Sequence, residues 1–393
     1  MLDSSTVVTR KLYYEDAYLC EFEAEILSAN DNDIVLDATA FFPEEGGQSP
    51  DKGVLAGREV LDVQIIDGYI HHFLGQKVTG ASAEEIAEGL RVNGRIDWKH
   101  RFSNMQQHSG EHIFSGLVHT KFGYDNVGFH LSDSEVTMDF TGVISPDGLR
   151  EIEMEVNHAI ALNIPSQVRF LEGEEAALAE YRSKLELTEA VRVVTFPDFD
   201  ACACCAPHVR MTGEIGCLKV VSAINYKGGM RVSILCGERA MNLFYHDHDI
   251  LTGTANFLTT SSDEVLGSVT RLKNENTELK SRLKQAGIRI MQMKTEAVPE
   301  GDGDVLMFES GDVDQTAIRE AVNSLMKKRG GYCAVFAGSD TEGYRYIIGT
   351  RDGDARLAAA LLKEKFGARG GGKPVMVQGS VKASEKEIRE AFV

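Results

Sequence analysis

Four residues in two distant segments have the types and the spacing of a metal site. His108 and His112 lie four residues apart in "MQQHSGEHIFSG", and Cys204 and His208 have the same spacing in "ACACCAPHVR". Residues at i and i+4 of a helix share one face, so two histidines there can reach one ion. Thiolate and imidazole are the ligands that zinc prefers in tetrahedral sites. Together the two pairs predict a zinc site that only the folding of a whole domain can assemble.

Each half of this site also has a simpler explanation. A lone H-x-x-x-H is more often a pair of partly buried histidines, and C-x-x-x-H in a cysteine-rich stretch can be incidental. Cys202 and Cys205 are close enough in sequence to Cys204 to compete with it as ligands. Four protein ligands are typical of a structural zinc, whereas catalysis usually needs an open position. Whether all four ligands bind at once therefore stays open.

Glu111 lies inside the histidine motif, directly before His112. A carboxylate at this position can act as a general base, or it can orient a metal ligand through a hydrogen bond. A solvated charge on the helix surface would have the same sequence.

The composition describes an acidic chain with several domains. It has 393 residues, seven cysteines and a formal net charge of −19, and this length predicts two to four domains. No apolar run has the length of a signal peptide core or a membrane helix, and the clustered, odd-numbered cysteines do not suggest a disulfide framework. We therefore expect a cytoplasmic protein without membrane contact. The charge argues against non-specific coating of nucleic acid but permits a local basic patch.

The pattern along the chain predicts an α+β multidomain fold with four parts. Residues 1–95 contain short apolar or alternating runs broken by Gly, Asn and Asp, which are typical of a small β-barrel. Residues 96–250 mix helices with strands and hold both halves of the zinc site, so they predict an α/β zinc-containing domain. Residues 258–298 predict a long helical or coiled-coil arm. Residues 302–393 alternate strands with helices, as in a small α/β domain.

The predicted arm carries an unbroken heptad pattern. Apolar residues recur four and three apart, and Asn276 occupies one position where a polar side chain can fix register or oligomeric state. Between residues 271 and 294, seven Lys or Arg stand against two Glu, which reverses the global charge. The pattern, here called the heptad seam, consists of Val265, Val269, Leu272, Asn276, Leu279, Leu283, Ala286, Ile290 and Met293.

Three motifs, in order, resemble the editing domain of alanyl-tRNA synthetase and, more closely, the long form of the free-standing alanyl-tRNA editing proteins. They are "FFPEEGGQSPDKG" (residues 41–53), "MQQHSGEHIFSG" and "ACACCAPHV". "GFHLSDSEVTMDF" and "TGEIGCLKVV" lie where such proteins have similar segments, and "GARGGGKPVMVQGSV" resembles a glycine-rich stretch of the synthetase's C-terminal domain. Two departures stand out: Glu45 replaces the first of three glycines, and "CCAPH" stands in place of C-G-G-T-H.

The resemblance implies a zinc-dependent editing domain that deacylates mischarged tRNA(Ala), above all Ser-tRNA(Ala) and also Gly-tRNA(Ala). A pocket for alanine cannot strongly reject a similarly small side chain by size, so a second hydrolytic sieve is needed. Zinc would polarise the ester carbonyl, activate a water or hold the terminal adenosine. A synthetase would place an aminoacylation domain ahead of the barrel, whereas this chain begins at the barrel. We therefore expect editing without charging.

The resemblance also indicates residues for substrate contact. It places Gly46, Gly47 and Gln48 near the editing pocket, and the two glycines permit close approach of the backbone to a ligand. Thr39 could bond the serine hydroxyl, although an ordinary strand threonine would look the same. His130 in "GFHLS" is a further candidate.

A glycine-rich stretch near the C-terminus is a candidate tRNA site. Its backbone N–H groups and two cations suit phosphate oxygens, although a tight turn would have the same sequence. Together with the basic arm, it predicts a C-terminal region that binds tRNA, forms a homodimer, or both. The stretch consists of Arg369, Gly370, Gly371, Gly372 and Lys373.

Three other functions are compatible with these residues. A zinc hydrolase could edit a different aminoacyl-tRNA, such as a threonyl-type substrate. A peptidyl-tRNA hydrolase of the release-factor kind also uses "GGQ", but the four zinc ligands argue against it. The third function is a non-catalytic tRNA-binding or dimerisation protein with a structural zinc.

Overall fold

The computed structural model describes residues 8–75, 86–183 and 190–392, and it contains two compact units. Unit 1 is Met1–Ile250 and unit 2 is Leu251–Val393. Each unit has its own clusters of buried apolar residues. Within the described ranges, no helix is long and apolar enough to cross a membrane.

The first elements of unit 1 include the strands of a closed barrel. They are β1 (Arg10–Lys11), α1 (Leu12–Glu15), β2 (Glu21–Asn30), β3 (Asp33–Leu36), β4 (Ala38–Thr39), β5 (Gly53–Leu55), β6 (Arg58–Ile66), β7 (Tyr69–Leu74) and β8 (Arg91–Ile96). Six of them close in the order β2-β3-β7-β6-β5-β8, with every neighbouring pair antiparallel. In β2, "EFEAEI" alternates charged exposed residues with apolar buried ones, as a strand with one face in a core requires.

A long helix, α2 (Trp98–Phe122), is buried over most of its length. It begins at Asp97, whose carboxylate accepts a hydrogen bond from the His100 N–H at 3.1 Å, and it ends at Gly123 with a φ of 67°. Its buried residues include Gln, His, Ser and Glu, which are rarely buried without partners. The partners of these side chains build the candidate site.

Unit 1 also contains two antiparallel sheets and two further helices, and a third helix begins in unit 1 and continues past Ile250. The elements are β9 (Asn126–Leu131), β10 (Val136–Phe140), α3 (Pro146–Leu162), β11 (Gln167–Leu171), α4 (Gly173–Leu178), β12 (Val191–Phe196), β13 (Asp200–Ala203), β14 (Leu218–Tyr226), β15 (Gly229–Cys236) and α5 (Gly237–Leu258). The strand orders are β14-β15-β10-β9 and β11-β12-β13. In the second sheet β11 is an edge strand, and the chain continues from β13 directly to Cys204.

Unit 2 contains a long helix and a five-stranded sheet. Its elements are α6 (Val265–Glu296), β16 (Val305–Glu309), α7 (Gln315–Lys328), β17 (Cys333–Ser339), β18 (Gly343–Gly349), α8 (Ala355–Phe366), β19 (Arg369–Lys373), β20 (Met376–Val381) and α9 (Glu385–Ala391). The strand order is β16-β17-β18-β20-β19, in which only the β16–β17 pair is parallel.

The heptad seam lies on α6, and most of its apolar side chains are exposed. Leu283 is 75% exposed and Leu279 is 62% exposed. The buried residues of α6 are Ser268, Met291 and Thr295, none of which belongs to the seam. The long helix is confirmed, whereas a coiled-coil partner for its seam stays a prediction.

The glycine-rich stretch of unit 2 forms an edge strand. All five residues of β19 are exposed, and β20 is its neighbour in the sheet. The tight turn that the sequence also allowed here is therefore wrong. An edge strand still presents unpaired backbone groups to a ligand.

Candidate metal centre

His108, His112, Cys204 and His208 come together, and their ligand atoms all lie within 4.8 Å of one another. Helix α2 supplies the first two residues on one face, and the segment after β13 supplies the other two. Cys204 Sγ lies 3.2 Å from His208 Nε2 and 3.6 Å from His108 Nε2. Four converging nitrogen and sulfur donors are a set that can hold zinc.

The Nδ1 atom of each histidine faces its own oxygen. The pairs are His108–Gln48 at 2.7 Å, His208–Ser109 at 3.0 Å and His112–Asp200 at 3.1 Å. A partner on Nδ1 fixes the tautomer and the orientation of the ring, and it leaves Nε2 for an ion. Hydrogen bonds with the Gln48 amide and the Ser109 hydroxyl therefore orient two imidazoles, and the Asp200 carboxylate makes an ion-pair contact with the third.

Gln48 reaches the cluster because its loop packs closely against β9. Gly46 and Gly47 have φ values of 62° and 86°, a region that side chains with a Cβ rarely adopt. A Cβ on Gly47 would also overlap the carbonyl of Phe129. Leu131 N–H donates to the Gly47 carbonyl at 2.7 Å, which fixes this approach. In this structure the two glycines position Gln48.

A buried ion pair ties the same loop to α2. Arg101 lies two turns before His108, and its Nε donates to both Asp51 carboxylate oxygens at 2.9 Å. Asp51 also accepts from the Phe42 N–H at 2.6 Å, which closes the loop that contains Gln48. Both ionic side chains are fully buried, so loss of either would leave an unpaired charge. The pair therefore holds the loop in register with the helix.

Asp200 is itself held while it faces His112. Arg182 donates to its two carboxylate oxygens, from Nε at 2.6 Å and from Nη2 at 3.0 Å. A Cβ on Gly116, one turn after His112, would overlap the Asp200 side chain, so this glycine lets β13 approach α2. Arg182, Asp200 and Cys202 also line a cavity of about 770 Å³.

The protonation states of Cys204 and His208 suit metal ligands. Burial lowers the pKa of His112, but Asp200 and Cys204 outweigh burial and hold that pKa well above its usual value. Burial alone would raise the pKa of Cys204, but His108 and His208 outweigh this effect and hold that pKa well below its usual value. Burial lowers the pKa of His208 to about 3, so its imidazole is neutral. Zinc binds thiolates and neutral imidazoles. Burial raises the pKa of Cys202 and Cys205, which leaves Cys204 as the thiolate of the group.

Glu111 is buried and paired beside the cluster. Ser115 Oγ and Asn126 Nδ2 each donate to its Oε1 at 2.6 Å. The side chain is 4% exposed, so a solvated helix charge is the wrong explanation of this residue. Glu111 links α2 to β9, and it is not one of the four residues whose ligand atoms converge.

Two other candidates lie outside the four-residue cluster. Thr39 is in the barrel interior, where its hydroxyl is 2.8 Å from His72 Nε2 and accepts from the Phe41 N–H at 3.1 Å. His72 Nδ1 donates to the Ile34 carbonyl at 3.0 Å, so its Nε2 accepts from the threonine. His130 is exposed on β9.

Three residues of this centre were not predicted from the sequence: Ser109, Asp200 and Arg182. Ser109 lies inside the histidine motif, and Asp200 lies two residues before Cys202, so an acid beside a cysteine cluster was the available signal. Arg182 is distant in sequence from every ligand and carried no such signal.

Three family models match the chain. "tRNA synthetases class II (A)" matches residues 9–100, and "Threonyl and Alanyl tRNA synthetase second additional domain" matches residues 191–233, which include Cys204 and His208. "DHHA1 domain" matches residues 302–392.

Relatives match almost the whole chain. The alanyl-tRNA editing protein AlaX-L of Pyrococcus horikoshii is 28% identical, over 97% of this chain and 96% of its own length. This chain is therefore a relative of the free-standing alanyl-tRNA editing proteins. The alanine–tRNA ligase of Methanoregula boonei is 30% identical over 94% of this chain, but the chain spans only 41% of the ligase. A solved C-Ala domain of Aquifex aeolicus alanyl-tRNA synthetase matches 24% of this chain and 97% of its own, at 21% identity and a TM-score of 0.19.

Proposed function

We propose that this relative of the alanyl-tRNA editing proteins is a zinc-dependent deacylase of mischarged tRNA(Ala), with Ser-tRNA(Ala) as its main substrate and Gly-tRNA(Ala) as a second one. The observation that carries the proposal is the convergence of His108, His112, Cys204 and His208 in unit 1. The bond to be cleaved is the ester between the amino acid and the terminal ribose.

The donor set fits zinc. It contains one thiolate and three imidazoles, whereas magnesium and calcium prefer oxygen ligands. Two imidazoles already have a hydrogen bond at Nδ1 and the third lies beside the Asp200 carboxylate, and such supporting groups raise the metal affinity of a site. A bound zinc would supply a Lewis acid for the ester carbonyl and for the negative charge that develops on it.

Gln48 is the chain's own group that is best placed to contact the substrate. Its Oε1 accepts from His108, while its buried Nε2 has no partner within the described ranges. A buried amide N–H without an acceptor costs about 1–3 kcal/mol, so a ligand that accepts this hydrogen bond is favoured. We assign to this Nε2 the role of donor to the substrate's carbonyl or side-chain hydroxyl.

Selectivity against alanine would follow from the same donor. A site built to bond a hydroxyl can reject the analogue without it by about 10⁴–10⁵-fold, because the polar partner is left unpaired. Thr39 is less suited to this role, since its hydroxyl is already engaged by His72 and Phe41. We therefore assign the contact with the hydroxyl of the seryl group to Gln48.

The C-terminal region would bind tRNA and form a homodimer. Arg369 and Lys373 stand at the ends of the exposed strand β19, and α6 carries the basic residues and the exposed seam. Backbone N–H groups with nearby cations suit phosphate, and an exposed apolar seam suits a second copy of the helix.

A second candidate function follows from the completeness of the ligand set. Four protein ligands are typical of structural zinc, so the protein could bind tRNA without hydrolysing it. Turnover separates the two functions, because only an enzyme in catalytic amount converts an excess of ester.

The test is deacylation of seryl-, glycyl- and alanyl-tRNA(Ala) by substoichiometric protein. We expect many turnovers with the seryl ester, fewer with the glycyl ester and few with the alanyl ester. A zinc chelator should abolish them and added zinc should restore them. Equal rates on seryl and alanyl esters would reject the sieve, and no turnover at all would favour the structural zinc. A threonyl-tRNA substrate serves as the control for a different editing activity.

A further inference from the structure

A buried arginine beside the metal cluster has no carboxylate partner among the described residues. Arg192 on β12 is 9% exposed, and its Nη1 donates to the carbonyls of Cys204 at 2.7 Å and Ala206 at 2.9 Å. Its Nε has no hydrogen-bond partner, and no ion pair to its guanidinium occurs in the part of the chain that the structure describes. Burial of a charge without a counter-ion is unfavourable, so such a group marks a place where an anion is expected.

The Tyr14 ring lies next to this arginine, and a second cation and a second aromatic ring lie next to Tyr14. The Tyr14 ring lies 5.0 Å from Arg192 Cζ and 5.0 Å from Lys11 Nζ. The Phe170 ring lies 5.8 Å from the Tyr14 ring, and Phe170 is 53% exposed on the edge strand β11. We call Lys11, Tyr14, Phe170 and Arg192 the Tyr14 cluster.

The Tyr14 cluster adjoins the metal centre. Arg192 bonds the backbone of Cys204, a member of that centre. The next residue, Cys205, contacts the loop of Gln48, since a Cβ on Gly46 would lie only 3.2 Å from its sulfur. A ligand on the Tyr14 cluster would therefore approach both the metal ligands and Gln48.

We propose that the Tyr14 cluster binds the single-stranded 3′-terminal nucleotides of tRNA, with a backbone phosphate at Lys11 and Arg192 and a base on Phe170. The proposal rests on the proposed deacylase function, because the ester to be cleaved is attached to that end. Single-stranded RNA is bound by cations that contact its phosphates and by aromatic rings on which its bases stack. Both kinds of group occur here within one cluster of an acidic protein.

Substitution of Glu45 should change RNA binding in a direction that the proposal predicts. The Glu45 Oε2 lies 3.9 Å from Lys11 Nζ. A carboxylate there competes with the RNA phosphate for Lys11. Glu45→Gln should therefore strengthen RNA binding.

The test measures binding of an uncharged single-stranded RNA oligonucleotide ending in CCA to the full-length protein over a range of salt concentrations. Phe170→Ala should weaken binding about tenfold, and Phe170→Trp should preserve it. The slope of log K against log salt is negative, and its magnitude should fall by about 0.7 in Lys11→Ala and in Arg192→Gln, the value for one phosphate contact on a single strand.

Two variants control for non-specific effects. Met154→Ala removes an apolar side chain on α3 that is 66% exposed. Arg169→Ala removes an exposed cation that lies on the same strand as Phe170 and already pairs with Glu175. Neither should change the affinity beyond twofold. Zinc content of Arg192→Gln should be measured as well, because this side chain also supports the Cys204 backbone.

The outcomes separate this subsite from the deacylase proposal. No binding by the unaltered protein, or unchanged affinity and slope in Phe170→Ala and Lys11→Ala, overturns the subsite whether or not esters are hydrolysed. Variant-dependent RNA binding without any turnover contradicts the deacylase function but keeps the subsite. With Ser-tRNA(Ala) as substrate, Phe170→Ala and Lys11→Ala should raise KM and leave kcat unchanged, since these side chains contact RNA and not the ester.

Discussion

Asp200 should contribute to the zinc affinity of the centre, because its carboxylate oxygen lies 3.1 Å from His112 Nδ1. Asp200→Asn keeps the shape but removes the charge that Arg182 and the imidazole both face. Loss of such a supporting carboxylate typically lowers metal affinity about 10–100-fold, and we expect that range here.

The measurement is zinc competition against a chelating dye. Asp139→Asn is the matched control, since Asp139 also holds an arginine, Arg231, through two bonds of 2.6 and 2.7 Å but lies outside the cluster. Equal zinc affinity in both variants would show that Asp200 does not orient His112.

His72 makes the stability of the barrel depend on pH. Burial lowers its pKa from 6.5 to about 4 in the folded chain. Between these values the unfolded chain binds a proton that the folded chain does not, so the free energy of unfolding falls as pH falls through this window. The loss attributable to His72 should approach roughly 3 kcal/mol near pH 4.

Denaturant unfolding of the zinc-loaded protein at several pH values measures this effect. His72→Gln should flatten the dependence between pH 6.5 and 4. Thr39→Val removes the hydroxyl that donates to neutral His72 Nε2, so it should lower stability and reduce the slope only in part. An unchanged slope in His72→Gln would assign the dependence to other groups.

At the scale of elements, the loop before β5 is the part that brings the barrel to the metal centre. Gly47→Ala should displace this loop, because the new Cβ would overlap the Phe129 carbonyl and the φ of 86° is unfavourable for alanine. The Gln48–His108 hydrogen bond would then be lost. We expect at least a tenfold loss of turnover.

Gly46→Ala is the matched control for this change. Gly46 also has a positive φ, of 62°, but its Cβ would meet only the Cys205 sulfur at 3.2 Å. Turnover in Gly46→Ala should fall less than in Gly47→Ala. The reverse order would mean that backbone strain, and not contact with β9, controls the loop.

The sequence predicted the residues of the metal centre that are close together along the chain. It did not predict the residues that come together only in the folded protein. His108 and His112 share a helical face by spacing alone. Cys204 and His208 lie in an irregular segment, and their residue types and close spacing were the signal there. Arg182 and Asp200 meet only through the packing of two segments, which no spacing encodes. Thr39 has a hydroxyl that could bind a substrate, but in the folded protein this hydroxyl is hydrogen-bonded to His72.

The same limit applies to the elements. The alternation in β2 and the heptads of α6 are strong periodic signals, and both elements occur where they were expected. The stretch "RGGGK" has no side-chain period, so its place at the edge of a sheet depends on pairing with β20, which begins only after it in sequence. Glycine supplies no local preference that could have indicated a strand.

At the scale of the whole molecule, our proposal assigns the metal centre to unit 1 and dimerisation with additional tRNA contacts to unit 2. All four candidate ligands and the oxygens that face their Nδ1 atoms lie in unit 1. The heptad seam and the strand β19 lie in unit 2, although the chain as a whole has a net charge of −19. Removal of unit 2 should therefore spare the metal centre and weaken association with tRNA and with a second copy.

Truncation after Leu258, at the end of α5, tests this division. The shortened protein should bind zinc with unchanged stoichiometry and be monomeric by light scattering. Its tRNA affinity should fall, and its salt slope should flatten by about 0.7–0.9 for each phosphate contact removed. A full-length Leu279→Lys, Leu283→Lys variant separates the two roles of unit 2, because charges on the exposed seam should prevent dimerisation while β19 remains. If the truncated protein keeps its affinity, slope and oligomeric state, unit 2 serves neither purpose.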